Sequence, residues 1–87
     1  MLDLEGIYQN ESVEDVLLYF ALRTPYQTID LMYVQYKFEV AAERELLFTC
    51  QRLVKEGKLI ETGKPLMEKG PNWKEPKFVT DKKYGIA

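Results

Sequence analysis

CQRLVKEGKLIETG, Cys50 to Gly63, is the stretch whose reading decides the fold. Its first half keeps helical spacing, with Leu53 and Val54 three and four residues beyond Cys50 on one face. Gly57 stops that pattern, as a glycine just past a helix end does. From Lys58 the period changes from 3.6 to 2, and Lys58, Leu59, Ile60, Glu61 and Thr62 read as a strand.

Upstream, neither Gly nor Pro interrupts Glu39 to Glu56, so the spacing predicts one long helix over 39–56. Ala42, Leu46, Leu47, Cys50, Leu53 and Val54 form its apolar face; Ala41, Arg44, Phe48, Gln51, Arg52 and Lys55 form the other. Cys50 therefore reads as a small buried side chain. A shorter helix is expected over 28–36, with Thr28 as N-cap and Asp30 in the first turn, where the helix dipole favours an acid. Leu31, Met32, Tyr36 and Phe38 are its core candidates, and its aromatic and β-branched content leaves a strand as the alternative. The first helix is expected over 12–23. Ser12 and Asp15 resemble a capping box, Val13, Val16, Leu17, Phe20 and Ala21 share a face, and Thr24 before Pro25 ends the run. Residues 1–11 form an N-terminal arm, a short strand or a helical turn, whose Leu2, Leu4, Ile7 and Tyr8 pack on the domain or on a second copy of the chain.

Downstream, Lys77, Phe78, Val79 and Thr80 read as a return strand. Pairing Ile60 near Val79 makes a hairpin over 58–81 with its turn at Gly70–Pro71. Pro65 and Pro76 then lie across from each other and fray the ladder, while Trp73 faces Leu66 and Met67. Residues 82–87 are a tail without a pattern.

The chain has 87 residues, a length for one domain with a modest core. One cysteine and no histidine remove intrachain disulfides, imidazole zinc sites and Ser-His or Cys-His nucleophile pairs. No phosphate loop, dinucleotide fingerprint or CxxC is present. An enzyme is not expected, nor a metal or other cofactor. No apolar run approaches the roughly 20 residues of a membrane span, and the acidic start does not read as a signal peptide. Cysteine usage points to a reducing, cytoplasmic compartment. The net charge of −2 hides a split. Residues 1–50 hold three bases and nine acids; residues 51–87 hold nine bases and five acids. Such asymmetry suits an anionic partner or a solvated face.

The order helix, short helix, long helix, glycine and hairpin resembles the winged helix-turn-helix domains, an α+β fold of three helices and a C-terminal two-stranded wing. Leu53, Gly57, Leu59 and Ile60 fall where that family places packing residues, and the resemblance covers roughly residues 12–81. It implies a small DNA-binding transcriptional regulator of bacterial, plasmid or phage type, with the third helix in the major groove of double-stranded DNA and the wing on the backbone. The sites so implied are Arg44, Phe48, Gln51, Arg52 and Lys55 on the helix, and Lys69, Trp73 and Lys74 on the wing. Such a domain would act as a homodimer through the arm and first helix. Two departures stand out. Lys37 occupies the turn where glycine is favoured, and Glu39, Glu43 and Glu45 put carboxylates where phosphate would lie. The alternative is a winged-helix module that binds a protein through Phe48 or Trp73 and no DNA.

Overall fold

Residues 4–10, expected as part of an arm, form helix α1 (Leu4–Asn10) in the computed structural model, which describes residues 2–86. Met1 of the arm and Ala87 of the tail lie outside the described residues. The Asp3 carboxylate accepts from the Gly6 N–H at 3.0 Å and caps α1. Ile7 and Tyr8 lie three and four residues inside it and are buried. The arm is thus part of the core, because a helix, unlike a strand, turns both side chains the same way.

Helix α2 (Val13–Phe20) starts at the expected cap, where the Ser12 hydroxyl accepts from the Asp15 N–H at 3.1 Å. Helix α3 (Tyr26–Tyr36) starts two residues before the expected Thr28, with Pro25 in the cap position. The strand alternative fails because its two fully buried residues, Ile29 and Tyr33, sit four apart. The Tyr8 ring lies at the centre of an aromatic cluster. It stacks on Phe20 at 5.4 Å between centroids and meets the Tyr33 ring edge at 4.9 Å. Such pairs add about 0.5–1.5 kcal/mol beyond area burial, so α1, α2 and α3 are locked at one point.

The helix expected over 39–56 is two helices, α4 (Phe38–Ala42) and α5 (Glu45–Lys55). Arg44 joins them in the left-handed region at φ 59°. The cause lies in the core. Val40 and Leu46 are both buried, yet six residues on a continuous helix would set them about 120° apart. Breaking the helix between them turns both inward. Leu46 and Leu53, seven apart, share the buried face of α5. Several core expectations fail, Ala42 among them, which is exposed. Leu31 and Phe38 are 65% and 62% exposed, and Leu47 is 38% exposed, because Ile29, Tyr33 and Val40 already fill the inner positions.

Strand β1 (Leu59–Ile60) begins where the period changed. Its partner is β2 (Glu68–Lys69), with Leu59 opposite Lys69 and Ile60 opposite Glu68. The expected return strand at Lys77–Thr80 is instead helix α6 (Lys77–Thr80). Phe78 is buried there, with its ring edge-on to Tyr19 at 5.6 Å and Tyr84 at 6.0 Å. The pairing shifts because Gly70–Pro71, expected at the hairpin tip, lies against the end of α5. The Gly70 N–H donates to the Lys58 carbonyl at 3.1 Å, and the Asn72 N–H to the Gly57 carbonyl at 2.9 Å. The contact is so close that a Cβ at Gly70 would fall 2.0 Å from the Gly57 oxygen.

The tail is anchored as well. The Asp3 N–H donates to the Tyr84 carbonyl at 2.8 Å, and the Tyr84 hydroxyl donates to Glu11 at 2.6 Å. The described residues form an α+β arrangement of six helices and one two-stranded antiparallel sheet. Among them, no helix is long and apolar enough to cross a membrane.

Candidate functional site

Five of the eight candidate residues come together on α5 and at its start. Arg44, Phe48, Gln51, Arg52 and Lys55 are all exposed and follow one another at helical spacing. Phe48, at 60% exposure, is the apolar centre of this face, with the half-exposed Leu47 next to it. Nothing in the core demands either side chain.

The basic residues on this face are not equally free. The Arg52 guanidinium bonds Glu14 of α2 at 2.8 Å and Glu56 at 3.1 Å. Lys58 closes the group, 3.1 Å from the other Glu14 oxygen and 3.4 Å from Glu56. Two acids and two bases thus form a neutral cluster that fastens α2 to the end of α5. Arg52, with Lys58 beside it, holds the Glu14 carboxyl below its ordinary range, against the smaller opposing effect of burial. Arg44 and Lys55 make no ion pair among the described residues, but Glu43 and Glu45 flank Arg44. The face carries little net positive charge.

The remaining three candidates lie apart from it. The Trp73 indole N–H donates to the Leu18 carbonyl of α2 at 2.9 Å. Trp73 is half-buried on the core instead of facing Leu66 and Met67 at a hairpin tip. The Lys69 ammonium sits 4.3 Å from the centre of its ring, a cation–π contact worth about 0.5–1 kcal/mol at an exposed site. Lys74 is exposed on the loop leading to α6, near Glu14 and Glu75. Trp73 and Lys69 therefore satisfy each other within the chain.

Beside the α5 face lies a groove of about 510 Å³ between the start of α3, α5 and the β1–β2 loop. Tyr26, Leu47, Cys50, Val54, Pro65 and Met67 form its apolar walls. Gln27 and Gln51 contribute amides, and Glu61 and Lys64 bring opposite charges. The face of α5 expected to be wholly core is thus shared between core and groove. Cys50 Sγ lies 3.9 Å from Met67 Sδ. Burial, with Glu61 adding to it, pushes the Cys50 thiol up, so it stays protonated and unreactive at neutral pH.

Sequence reasoning missed the exposed Leu31, Val34 and Phe38 on the α3–α4 side. The available signal was the regular spacing of Ile29, Tyr33 and Tyr36, which define the inner face of α3 and leave 31 and 34 outside. Tyr33 is wholly buried, and its hydroxyl has no hydrogen-bond partner among the described residues. Among the described residues, no three His, Cys, Asp or Glu side chains gather as a metal centre requires. In comparisons with known proteins, no family model, no curated protein and no solved structure matches the chain.

Proposed function

We propose that this chain is a protein-binding module of winged-helix layout, whose groove between α5 and the β1–β2 loop takes an amphipathic helix of a partner protein. The layout reading rests on the order α2, α3, α5, β1 and β2, with the short α4 inserted before the third long helix. The observation that carries the interaction reading is Phe48. A phenylalanine 60% exposed at mid-helix, beside a largely apolar groove, has no role in the chain's own packing. Aromatic side chains in such settings serve as anchors for protein contacts. A helix is the occupant that fits. β1 and β2 have two residues each, so neither offers an edge for strand addition, whereas a groove with apolar walls and a polar, mixed-charge margin suits a helix with two unlike faces.

Duplex DNA is the competing occupant, because Arg44, Gln51 and Lys55 remain exposed along α5. It is the weaker reading. Phosphate binding needs a positive surface, and here Arg52 is tied to Glu14 while Glu43 and Glu45 border Arg44. The test is a selection of helical peptides on the purified chain, followed by alkylation of Cys50 in the groove at alkaline pH, where part of its raised thiol ionises and reacts. The expected peptides slow Cys50 alkylation, and Phe48→Ala removes both binding and protection. The proposal fails if no selected peptide protects Cys50. It fails equally if the chain binds duplex DNA with steep salt dependence, loses that binding on Arg44→Ala with Lys55→Ala, and keeps it on Phe48→Ala.

A further inference from the structure

We infer that the small pocket between the end of α2 and β2 binds the phosphoryl group of a small phosphate monoester. This pocket shares no lining residue with the α5 groove and stands independently of the reading given to that groove. The Met67 N–H, bonded to the Ala21 carbonyl at 2.9 Å, draws β2 against the end of α2. A pocket of about 140 Å³ lies beside that joint. Leu22 and Val79 supply apolar lining, and Tyr19 and Trp73 supply two aromatic rings. Each ring holds a base that also lines the pocket. The Arg23 guanidinium lies 4.1 Å from the centre of the Tyr19 ring, and its Nη1 donates to the Tyr19 carbonyl at 2.6 Å. The Lys69 ammonium lies 4.3 Å from the centre of the Trp73 ring, which is itself fixed by the indole bond to Leu18. Long side chains lose rotamer freedom when they bind. Here much of that loss has already occurred in folding, so both bases are arranged before a ligand arrives.

Charge identifies the ligand. Neither Arg23 nor Lys69 makes an ion pair among the described residues, although Glu75 lines the same pocket. A ring face attracts a cation without cancelling its charge. Two bases against one carboxylate therefore leave the pocket positive. Bases carried on two separate rings suit a group with oxygens on several sides, which a tetrahedral phosphoryl dianion has. Arginine grips such oxygens as a fork and lysine as a point charge. The volume admits one head group, well short of the roughly 300–1,000 Å³ that drug-sized ligands occupy. A nucleic-acid backbone fits less well. Its diesters carry a single charge each, and Glu68 beside Lys69 in β2, with Glu75, repels a long polyanion.

Trp73 is the chain's only tryptophan, so its fluorescence reports on this pocket alone. Calorimetry gives a reading that does not depend on it. At constant ionic strength, inorganic phosphate and glycerol phosphate are each expected to saturate both signals. Their affinity falls as the second phosphate proton returns near pH 6. Dimethyl phosphate, a diester, binds about tenfold more weakly or worse, and Arg23→Gln and Lys69→Gln each weaken phosphate binding to a similar extent. Glu75→Gln tightens it about two- to fivefold, by removing a like charge. Damage to the fold cannot imitate that gain. The inference is overturned if phosphate fails to saturate, if the diester binds as well as the monoester, if binding survives both glutamine variants, or if Glu75→Gln does not tighten it. Phe48→Ala leaves phosphate affinity unchanged, which separates failure here from failure of the groove reading.

Discussion

Replacing Gly70 by alanine distinguishes the observed pairing from the one the sequence pattern suggests. In a hairpin folded at Gly70–Pro71, the glycine would sit at an exposed tip, and an added methyl would change stability by a few tenths of a kcal/mol. In the structure the new Cβ meets backbone, 2.0 Å from the Gly57 oxygen, 2.7 Å from its carbon and 3.0 Å from the Lys58 carbon. No flexible side chain stands there to move aside. The two chain segments must separate, which as overpacking costs about 1–3 kcal/mol. Separation also strains the Gly70–Lys58 and Asn72–Gly57 hydrogen bonds, each worth about 0.5–1.5 kcal/mol net. The sum is roughly 2–6 kcal/mol. For a domain of this size, 3 kcal/mol corresponds to a fall in Tm of about 12–24 °C. Thermal unfolding followed by circular dichroism reads this directly. Gly63→Ala is the control: its φ is +76° but nothing lies within 4 Å of its Cβ, so only the left-handed strain of about 1–2 kcal/mol applies. A Gly70→Ala protein that melts within a few degrees of wild type, or above Gly63→Ala, refutes the close approach of the two segments.

Three further outcomes follow from particular geometries. Arg44 lies in the left-handed region, so Arg44→Gly should exceed Arg44→Ala in stability by about 1 kcal/mol in urea melts, whereas a continuous helix over 39–56 would favour alanine by a similar amount. Trp73→Phe keeps the ring's bulk but removes the indole donor to Leu18; a loss of about 1 kcal/mol is expected in the same assay, and no loss would mean the bond does not form. Burial, with Tyr36 nearby, pushes the Tyr8 hydroxyl from 10.0 up to about 12. A raised folded value means that stability is fully present below pH 10 and falls as the pH rises toward 12. Tyr8→Phe should therefore flatten the alkaline limb of the stability curve between those values, and an unchanged limb would contradict the burial of this hydroxyl.

Local signals were legible wherever one residue acts on its own helix. The Ser12 cap, the Gly57 stop and the strand at Leu59 all stand in the sequence, because each depends on neighbours within four residues. What escaped detection depends on distant partners. The break at Arg44 answers to where Val40 and Leu46 must point, and helix propensity alone gives no reason for it. Phe48, Gln51, Arg52 and Lys55 share the exposed side of α5 as their period suggests, while Ala41 falls on α4 against the core, and Arg52 is balanced by Glu14, 38 residues away. The exposed Leu31 and Phe38 were assigned to the core because hydrophobicity does not say which of two apolar faces is inside.

The same reasoning explains why the chain spends its only tryptophan internally. Helix C-termini leave carbonyls without intrahelical donors. At the end of α2, the Met67 N–H donates to the Ala21 carbonyl at 2.9 Å, and the Trp73 indole reaches Leu18. At the end of α5, the Asn72 side chain donates to the Glu56 carbonyl at 2.8 Å. Residues 67–73 thus close two helices at once, and β2 lies within this span because both helix ends must be reached together. A return strand at Lys77–Thr80 could not keep these bonds, and Phe78 would lose its place in the core. Phe48, on which the proposed recognition rests, holds nothing together within the chain. Its substitution should alter binding without moving the melt, whereas substitution of Trp73 or Asn72 should move the melt first.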